Sequence, residues 1–344
     1  MSHSIFHVVA TQNFAGVERY ITYVAPMQAA AGWDVTVVGG EPVAMGDALG
    51  PTVRHLPGAN LATVARQLAR LGRRCDIAHT HMTSAEFAAI STWPLHRAKV
   101  VTTRHFAGQR GSTRPARLAG QVVRPVFAAQ ISISQFVADT IREPSVLIPN
   151  GVPNAAPARY GAKRVLVAQR LEAEKDTQLA LEAWAKSNLA TDGWTIAFAG
   201  RGSQEPALRS RSRELGLDDS VHFLGFVDDL DGELDQCSIF LATALAEPFG
   251  LSVVEAMAKG IPVVASAAGA HRETVGLVAP ELLFAPGDSD ACAALLRRVV
   301  DHGASNRWGT RLRACQQAEF SLQRHVGQLL ALYDRVLTGE GIAV

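Results

Sequence analysis

Residues 238 to 265 leave the chain few choices of fold. Ser238-Ile239-Phe240-Leu241-Ala242 reads as a buried strand, Leu251 to Ala258 as a helix closed by Gly260, and Ile261 to Ala265 as the next strand. Strand, helix and strand joined by short turns make a βαβ unit. Glu247 then falls in the loop after a strand's carboxyl end, where open α/β sheets bind ligands. Glu255 lies on the helix, about one turn in from its start. The amides around Gly250 and Leu251 are the unpaired donors of a helix N-terminus, a natural seat for phosphate. Anion donors flanked by two hydroxyl acceptors match a sugar nucleotide, which has a diphosphate in the middle and a polyol at each end.

A chain of 344 residues is long for one core, so two α/β domains are expected. Pro149-Asn150-Gly151-Val152-Pro153-Asn154-Ala155-Ala156-Pro157 is rich in turn formers and marks the linker. The division is into residues 1–152 and 153–321, with a terminal amphipathic helix, about 322–344, a candidate for packing back on the first domain. The first domain opens with Ile5 to Ala10 as a strand and continues with strands at Trp33 to Val38, Asp76 to His81, Lys99 to His105, Gln130 to Ile133 and Val146 to Ile148. The second restarts at Arg164 to Ala168 and repeats the plan. No apolar run approaches the length of a membrane span, and Met1-Ser2-His3-Ser4 lacks the basic start of a secretory signal, so a cytoplasmic protein is expected. Cys75, Cys237, Cys292 and Cys315 are too widely spaced for a zinc or disulfide framework and read as buried thiols.

The net charge of +1 conceals an asymmetry: residues 1–150 carry 14 Lys/Arg against 8 Asp/Glu, the remainder 19 against 24. Between Glu86 and Asp139 there is no carboxylate, yet Arg97, Lys99, Arg104, Arg110, Arg114, Arg117 and Arg124 fall there. This basic stretch suggests an anionic partner for the first domain, against the plainer reading of a solvated surface.

Several strand ends carry polar residues. Gly16 stands in a turn between the first strand and first helix, where backbone approaches a ligand closely. His79 and His81 share a face at one strand end, and His105 ends another. Three histidines raise the question of metal, but no carboxylate or cysteine joins them at a ligand spacing, so contacts to sugar hydroxyls or phosphate are preferred and no metal is expected. Arg170 and Lys175 share one loop and suit a diphosphate, arginine as a fork and lysine as a point charge. Gly200 ends a further strand, and Phe226 closes an apolar shelf on which a base could stack.

As a set, these residues resemble the retaining glycosyltransferases of the two-domain GT-B fold that use nucleotide-activated sugars and carry a Glu-x7-Glu motif (glycosyltransferase family 4, glycosyl transferases group 1). The resemblance rests on Glu247-Pro248-Phe249-Gly250-Leu251 through Glu255, on Gly269 and Glu273 beyond it, and on Arg170-Leu171 with Glu174-Lys175. Asn150-Gly151-Val152 and Gly16-Val17-Glu18-Arg19 complete it. It implies two Rossmann-like domains facing across a cleft. It also implies that Glu255 holds the ribose, Glu247 the donor sugar, and Arg170 and Lys175 the diphosphate as it leaves, with His105 near the transferred sugar. Retention by a front-face route is implied, with the leaving phosphate taking the acceptor proton, no conventional general base and no metal or other cofactor. The acceptor is expected on the basic first domain. It could be a phosphate-bearing lipid or glycan precursor met at the inner membrane face, with Arg104 to Arg124 toward the headgroups; nucleic acid is not expected. A nucleotide-sugar epimerase of similar fold, or a non-catalytic sugar-nucleotide-binding subunit, are the alternatives. Ala15, Gln169, Asp176 and Ala270 stand where the family usually has glycine, and Pro153 where it has aspartate.

Overall fold

The computed structural model describes residues 3–108, 110, 126–158, 161–302 and 306–340, and the chain divides into two compact units. The first unit comprises Met1–Gly151 with Leu322–Val344, and the second Val152–Ser321. Val152, assigned to the first domain from the sequence, falls in the second. Its N–H donates to the Phe320 carbonyl at 3.0 Å, and it bridges Ser321.

The first unit is built on a parallel sheet of order β3-β2-β1-β4-β5-β6-β7. The strands are β1 (Ser4–Val9), β2 (Asp34–Val38), β3 (Arg54–Leu56), β4 (Ile77–His81), β5 (Lys99–Arg104), β6 (Ala129–Ser132) and β7 (Val146–Leu147). β1 and β4 are buried at every position, as strands of a sheet covered on both faces must be. That burial includes His7, His79 and His81. The order reverses direction between β1 and β4, the kind of switch point where parallel sheets open a crevice. β3 and the helix Pro42–Leu49 were not anticipated from the sequence; a three-residue edge strand is too short to show a period. The terminal helix Leu322–Thr338 lies against the helix Gly16–Ala30, burying Val326, Leu329, Leu332, Tyr333 and Val336.

The second unit holds a sheet of order β10-β9-β8-β11-β12-β13, again all parallel. Its strands are β8 (Arg164–Ala168), β9 (Thr195–Ala199), β10 (Val221–Gly225), β11 (Ile239–Ala242), β12 (Val263–Ser266) and β13 (Leu283–Phe284). The helix Leu251–Ala258 has the bounds expected of it. The strand after it starts later than expected, at Val263, because Gly260 (φ +71°) ends the helix in a Schellman turn. Ile261 N–H donates to Ala256 O at 3.0 Å and Gly260 N–H to Met257 O at 2.9 Å, so Ile261 belongs to the helix end. The switch point here lies between β8 and β11.

All four cysteines are buried and unpaired. No helix among the described residues is long and apolar enough to cross a membrane.

Candidate active site

In the second unit, Arg170 and Lys175 follow β8 and Glu247 follows β11, the two strands that flank the switch point. Lys175 Nζ donates to Glu247 Oε2 at 2.6 Å, with each side chain 14% exposed. Burial by itself would raise the Glu247 carboxyl, but Lys175 and His271 beside it hold it below the usual carboxylate range. Arg170 takes a different partner: its Nη2 donates to Glu174 Oε1 at 2.6 Å on the surface. The two cations of the loop are thus held by separate carboxylates.

The loops that carry the pair are stitched together. Gln169 Nε2 donates to Lys175 O, Thr177 Oγ1 and Thr243 Oγ1 at 3.0 to 3.1 Å. Thr243 Oγ1 donates to Lys175 O at 2.8 Å, and Leu245 N–H to Glu174 O at 3.0 Å. The glutamine that departs from the family's glycine therefore ties the loop after β8 to the exit of β11. Asp176 departs in the same way and adopts φ +47°, a left-handed conformation that glycine takes without strain and aspartate tolerates.

Gly269, in the turn after β12, meets Glu247 directly. A Cβ there would lie 2.3 Å from Glu247 O, and Ala270 N–H donates to that oxygen at 2.9 Å. His271, which the sequence reading did not single out, completes the surroundings of Glu247. Its Nδ1–H donates to Ser266 O at 3.0 Å, its Nε2 has no hydrogen-bond partner among the described residues, and burial lowers its pKa despite the Glu247 charge. Only its place one residue after the Gly269-Ala270 turn could have pointed to it.

Gly250 (φ +85°) caps the helix that begins at Leu251, and Val254 N–H donates to Gly250 O at 3.1 Å. The first amides of the helix, at Leu251 and Ser252, thus precede its hydrogen-bonded ladder. Ser252 Oγ donates to Ala168 O at 3.0 Å, pinning this end to β8. Glu255 is buried one turn further on. Gly200 has an architectural reason to be glycine, since a Cβ would lie 1.9 Å from Gln169 O. Phe226, just past β10, is 49% exposed, as a stacking surface has to be.

The first unit holds Gly16 and His105. Gly16 opens the helix Gly16–Ala30, and Glu18 Oε2 accepts the N–H of Ala15 at 2.9 Å. His105 follows β5, buried, with Nε2 2.9 Å from His81 Nδ1. His7, absent from the residues singled out in the sequence, joins them: His7 Nδ1 lies 3.0 Å from His81 Nε2. The ligand atoms of His7, His79 and His81 lie within 4.8 Å of one another, a spacing a metal ion could use. All six ring nitrogens are nonetheless engaged in hydrogen bonds, with Gln28, Tyr333, Thr103, His105 and each other.

The basic stretch divides. Arg110 is buried, with Nε donating to Glu86 Oε2 at 2.8 Å, Nη1 to Glu143 and Nη2 to Gln130. Arg104 is buried beside it, donating to Gly108 O at 2.6 Å and lying 3.6 Å from Glu143. Two of the seven cations thus face inward, contrary to the expectation that they meet headgroups; Glu143 lies just outside the carboxylate-free stretch and was not connected with them. Arg114, Arg117 and Arg124 lie outside the described residues.

Comparison with known proteins identifies the family and the fold. Residues 14–155 match the model of Glycosyltransferase Family 4, and residues 154–314 that of Glycosyl transferases group 1. The chain is 31% identical over 269 residues, 73% of its length, to a 2-deoxystreptamine glucosyltransferase of Streptomyces kanamyceticus. It is 31% identical over 250 residues, 65% of its length, to a phosphatidyl-myo-inositol mannosyltransferase of Mycobacterium leprae. These alignments span 64% and 65% of the two relatives' own lengths. The structure of Anabaena HepE with UDP and glucose superposes with a TM-score of 0.82 at 19% identity, over 96% of this chain and 99% of that one, which establishes the two-domain GT-B architecture. With consecutive matches running from residue 14 to residue 314, the chain belongs to the glycosyltransferases of family 4 and group 1.

Proposed function

We propose that this protein transfers a hexose or related sugar from a nucleoside diphosphate to an acceptor, with retention at the anomeric carbon. The observation that carries this reading is the partly buried contact of Lys175 with Glu247 at a sheet switch point, beside a helix N-terminus. A donor entering there meets a cation for its diphosphate and a carboxylate for its sugar hydroxyls. Lys175 exchanges Glu247 for phosphate oxygens, Arg170 exchanges Glu174, and Glu247 accepts from the sugar. Glu255 accepts from the ribose, and Phe226 offers its face to the base.

As the bond from the anomeric carbon to the diphosphate oxygen breaks, negative charge grows on that oxygen. Lys175, Arg170 and the amides of Gly250 and Leu251 stabilise it without reorganising. The acceptor hydroxyl attacks from the face the diphosphate leaves, and its proton passes to the departing oxygen, so no separate base or metal is required. His105 accepts a hydrogen bond from a sugar hydroxyl. For the acceptor, the name of the mycobacterial relative supports a phosphate-bearing lipid. The inward burial of Arg104 and Arg110 leaves that role to the other cations of residues 97–124.

The test is turnover of UDP-, GDP- and ADP-linked hexoses with EDTA present, followed by the anomeric proton coupling of the product. Net transfer with the donor's configuration is expected. Inversion, or turnover of the donor without acceptor or net hydrolysis, would contradict the proposal, the latter outcome indicating an epimerase.

A further inference from the structure

The first unit contains a chain of buried polar side chains that ends on His105. Gln28 Oε1 lies 2.6 Å from His7 Nε2, His7 Nδ1 lies 3.0 Å from His81 Nε2, and His81 Nδ1 lies 2.9 Å from His105 Nε2. Gln28, His7 and His81 are completely buried and His105 is 8% exposed. Each histidine is neutral at pH 7, because burial pushes His7 to about 4 and His105 to about 3 and holds His81 well below the ordinary value.

A neutral imidazole has one N–H and one lone pair, so two rings in contact must point the same way. The direction of the whole chain then follows from its end. An amide oxygen only accepts, hence His7 carries its proton on Nε2 and offers Nδ1 as a lone pair. His81 must donate from Nε2 and accept at Nδ1, and His105 must donate from Nε2. None of these hydrogen bonds uses His105 Nδ1, which therefore bears the free lone pair of the series.

A second branch of the buried polar side chains runs through Tyr333 and His79. The nitrogen of the Gln28 amide makes no hydrogen bond among the described residues. Tyr333 OH lies 2.5 Å from His79 Nδ1, and His79 Nε2 lies 2.6 Å from Thr103 Oγ1. A neutral His79 therefore donates in one of these contacts and accepts in the other. His325 is set separately: its Nδ1 faces the Pro149 carbonyl at 2.7 Å and must donate, while its Nε2 accepts from Tyr20 OH at 2.8 Å.

We propose that Gln28 is a positioning residue for the transfer reaction: through His7 and His81 it holds His105 as the Nε2–H tautomer, so that Nδ1 accepts a hydrogen bond from a hydroxyl of the sugar. This rests on the reading above that His105 touches the sugar. Gln28 itself, two rings behind His105, has no contact with substrate.

The experiment is imidazole ¹⁵N–¹H correlation spectroscopy on the full chain at pH 7.5, with steady-state kinetics on variants. His105, His81 and His7 are expected as Nε2–H and His325 as Nδ1–H. Gln28→Met, which removes the acceptor, is expected to give mixed tautomers at His105 and to lower kcat about two- to tenfold, the worth of one hydrogen bond. Gln28→Glu restores an acceptor at the same place and is expected to keep the tautomer and most of kcat. An Nδ1–H His105 in the wild-type protein would overturn the proposal even if Gln28→Met failed to fold. An unchanged His105 tautomer in folded Gln28→Met would overturn it as well. His105→Ala separates the two claims: unchanged kcat there removes the sugar contact, while the spectra still decide the role of Gln28.

Discussion

Lys175 Nζ and Glu247 Oε2 stand 2.6 Å apart, although 72 residues separate them in the chain. The pair joins the loops of β8 and β11, so each charge is neutralised where water is largely excluded. Removing one partner leaves the other partly buried and uncompensated, which costs about 2 to 4 kcal/mol. Lys175→Met and Glu247→Gln should each destabilise by roughly that amount, and the double variant by clearly less than the sum. A double-mutant cycle in urea checks this; strict additivity would mean that the contact contributes nothing.

Gly269 is the support of that carboxylate's backbone. A methyl group there would overlap Glu247 O, at 2.3 Å, in a residue already at φ +54°. Gly269→Ala should cost about 2 to 4 kcal/mol and displace Glu247. Gly287→Ala is the control, since Gly287 also has positive φ but meets nothing within 4 Å. It should cost only about 1 kcal/mol. Equal losses of melting temperature in the two variants would remove the special role of the Gly269 contact.

At Asp176 the expected change is a gain. Its φ of +47° is strained for a side chain, and it makes no side-chain cap to the helix Thr177–Ser187. Asp176→Gly should stabilise by about 0.5 to 1 kcal/mol, with donor KM altered little. Destabilisation in thermal unfolding would show that the aspartate side chain makes a larger contribution than the strain.

Acid should unfold the first unit by way of its histidines. His7 and His325 are held at about 4 and His105 at about 3, against an ordinary 6.5, because burial disfavours their charged forms. Between pH 6.5 and about 4 the unfolded chain binds protons that the folded unit refuses. Stability should therefore be full above pH 6.5 and fall as pH drops through that window, by about 1.4 kcal/mol per pH unit for each such group. Urea midpoints at pH 7.5, 6.0 and 5.0 measure it; a flat profile to pH 5 would contradict the assigned burial.

Much of this architecture was legible in local pattern. The helix Leu251–Ala258 with its glycines, and the strand ends bearing Glu247, Arg170 and His105, follow from apolar periodicity and turn chemistry. What the sequence hid was pairing across distance. Gln169 looks like a lost glycine until it is seen bonding Thr243. Arg104 and Arg110 look like part of a basic surface until Glu86 and Glu143 are folded against them. His7 sits within an apolar strand run, and only the parallel register of β1 with β4 sets it beside His79 and His81. Ring nitrogens that share protons leave no periodic signal.

If the loops bearing Lys175 and Glu247 form a nucleoside-diphosphate site, equilibrium binding will show it. Titration calorimetry of UDP, GDP and ADP against the wild-type protein and Lys175→Met is the measurement. At least one diphosphate should bind the wild type, and Lys175→Met should weaken it by tenfold or more, about 1.4 kcal/mol for a lost charge-assisted contact. Equal affinity in the two proteins, or no diphosphate bound by the wild type, would contradict it.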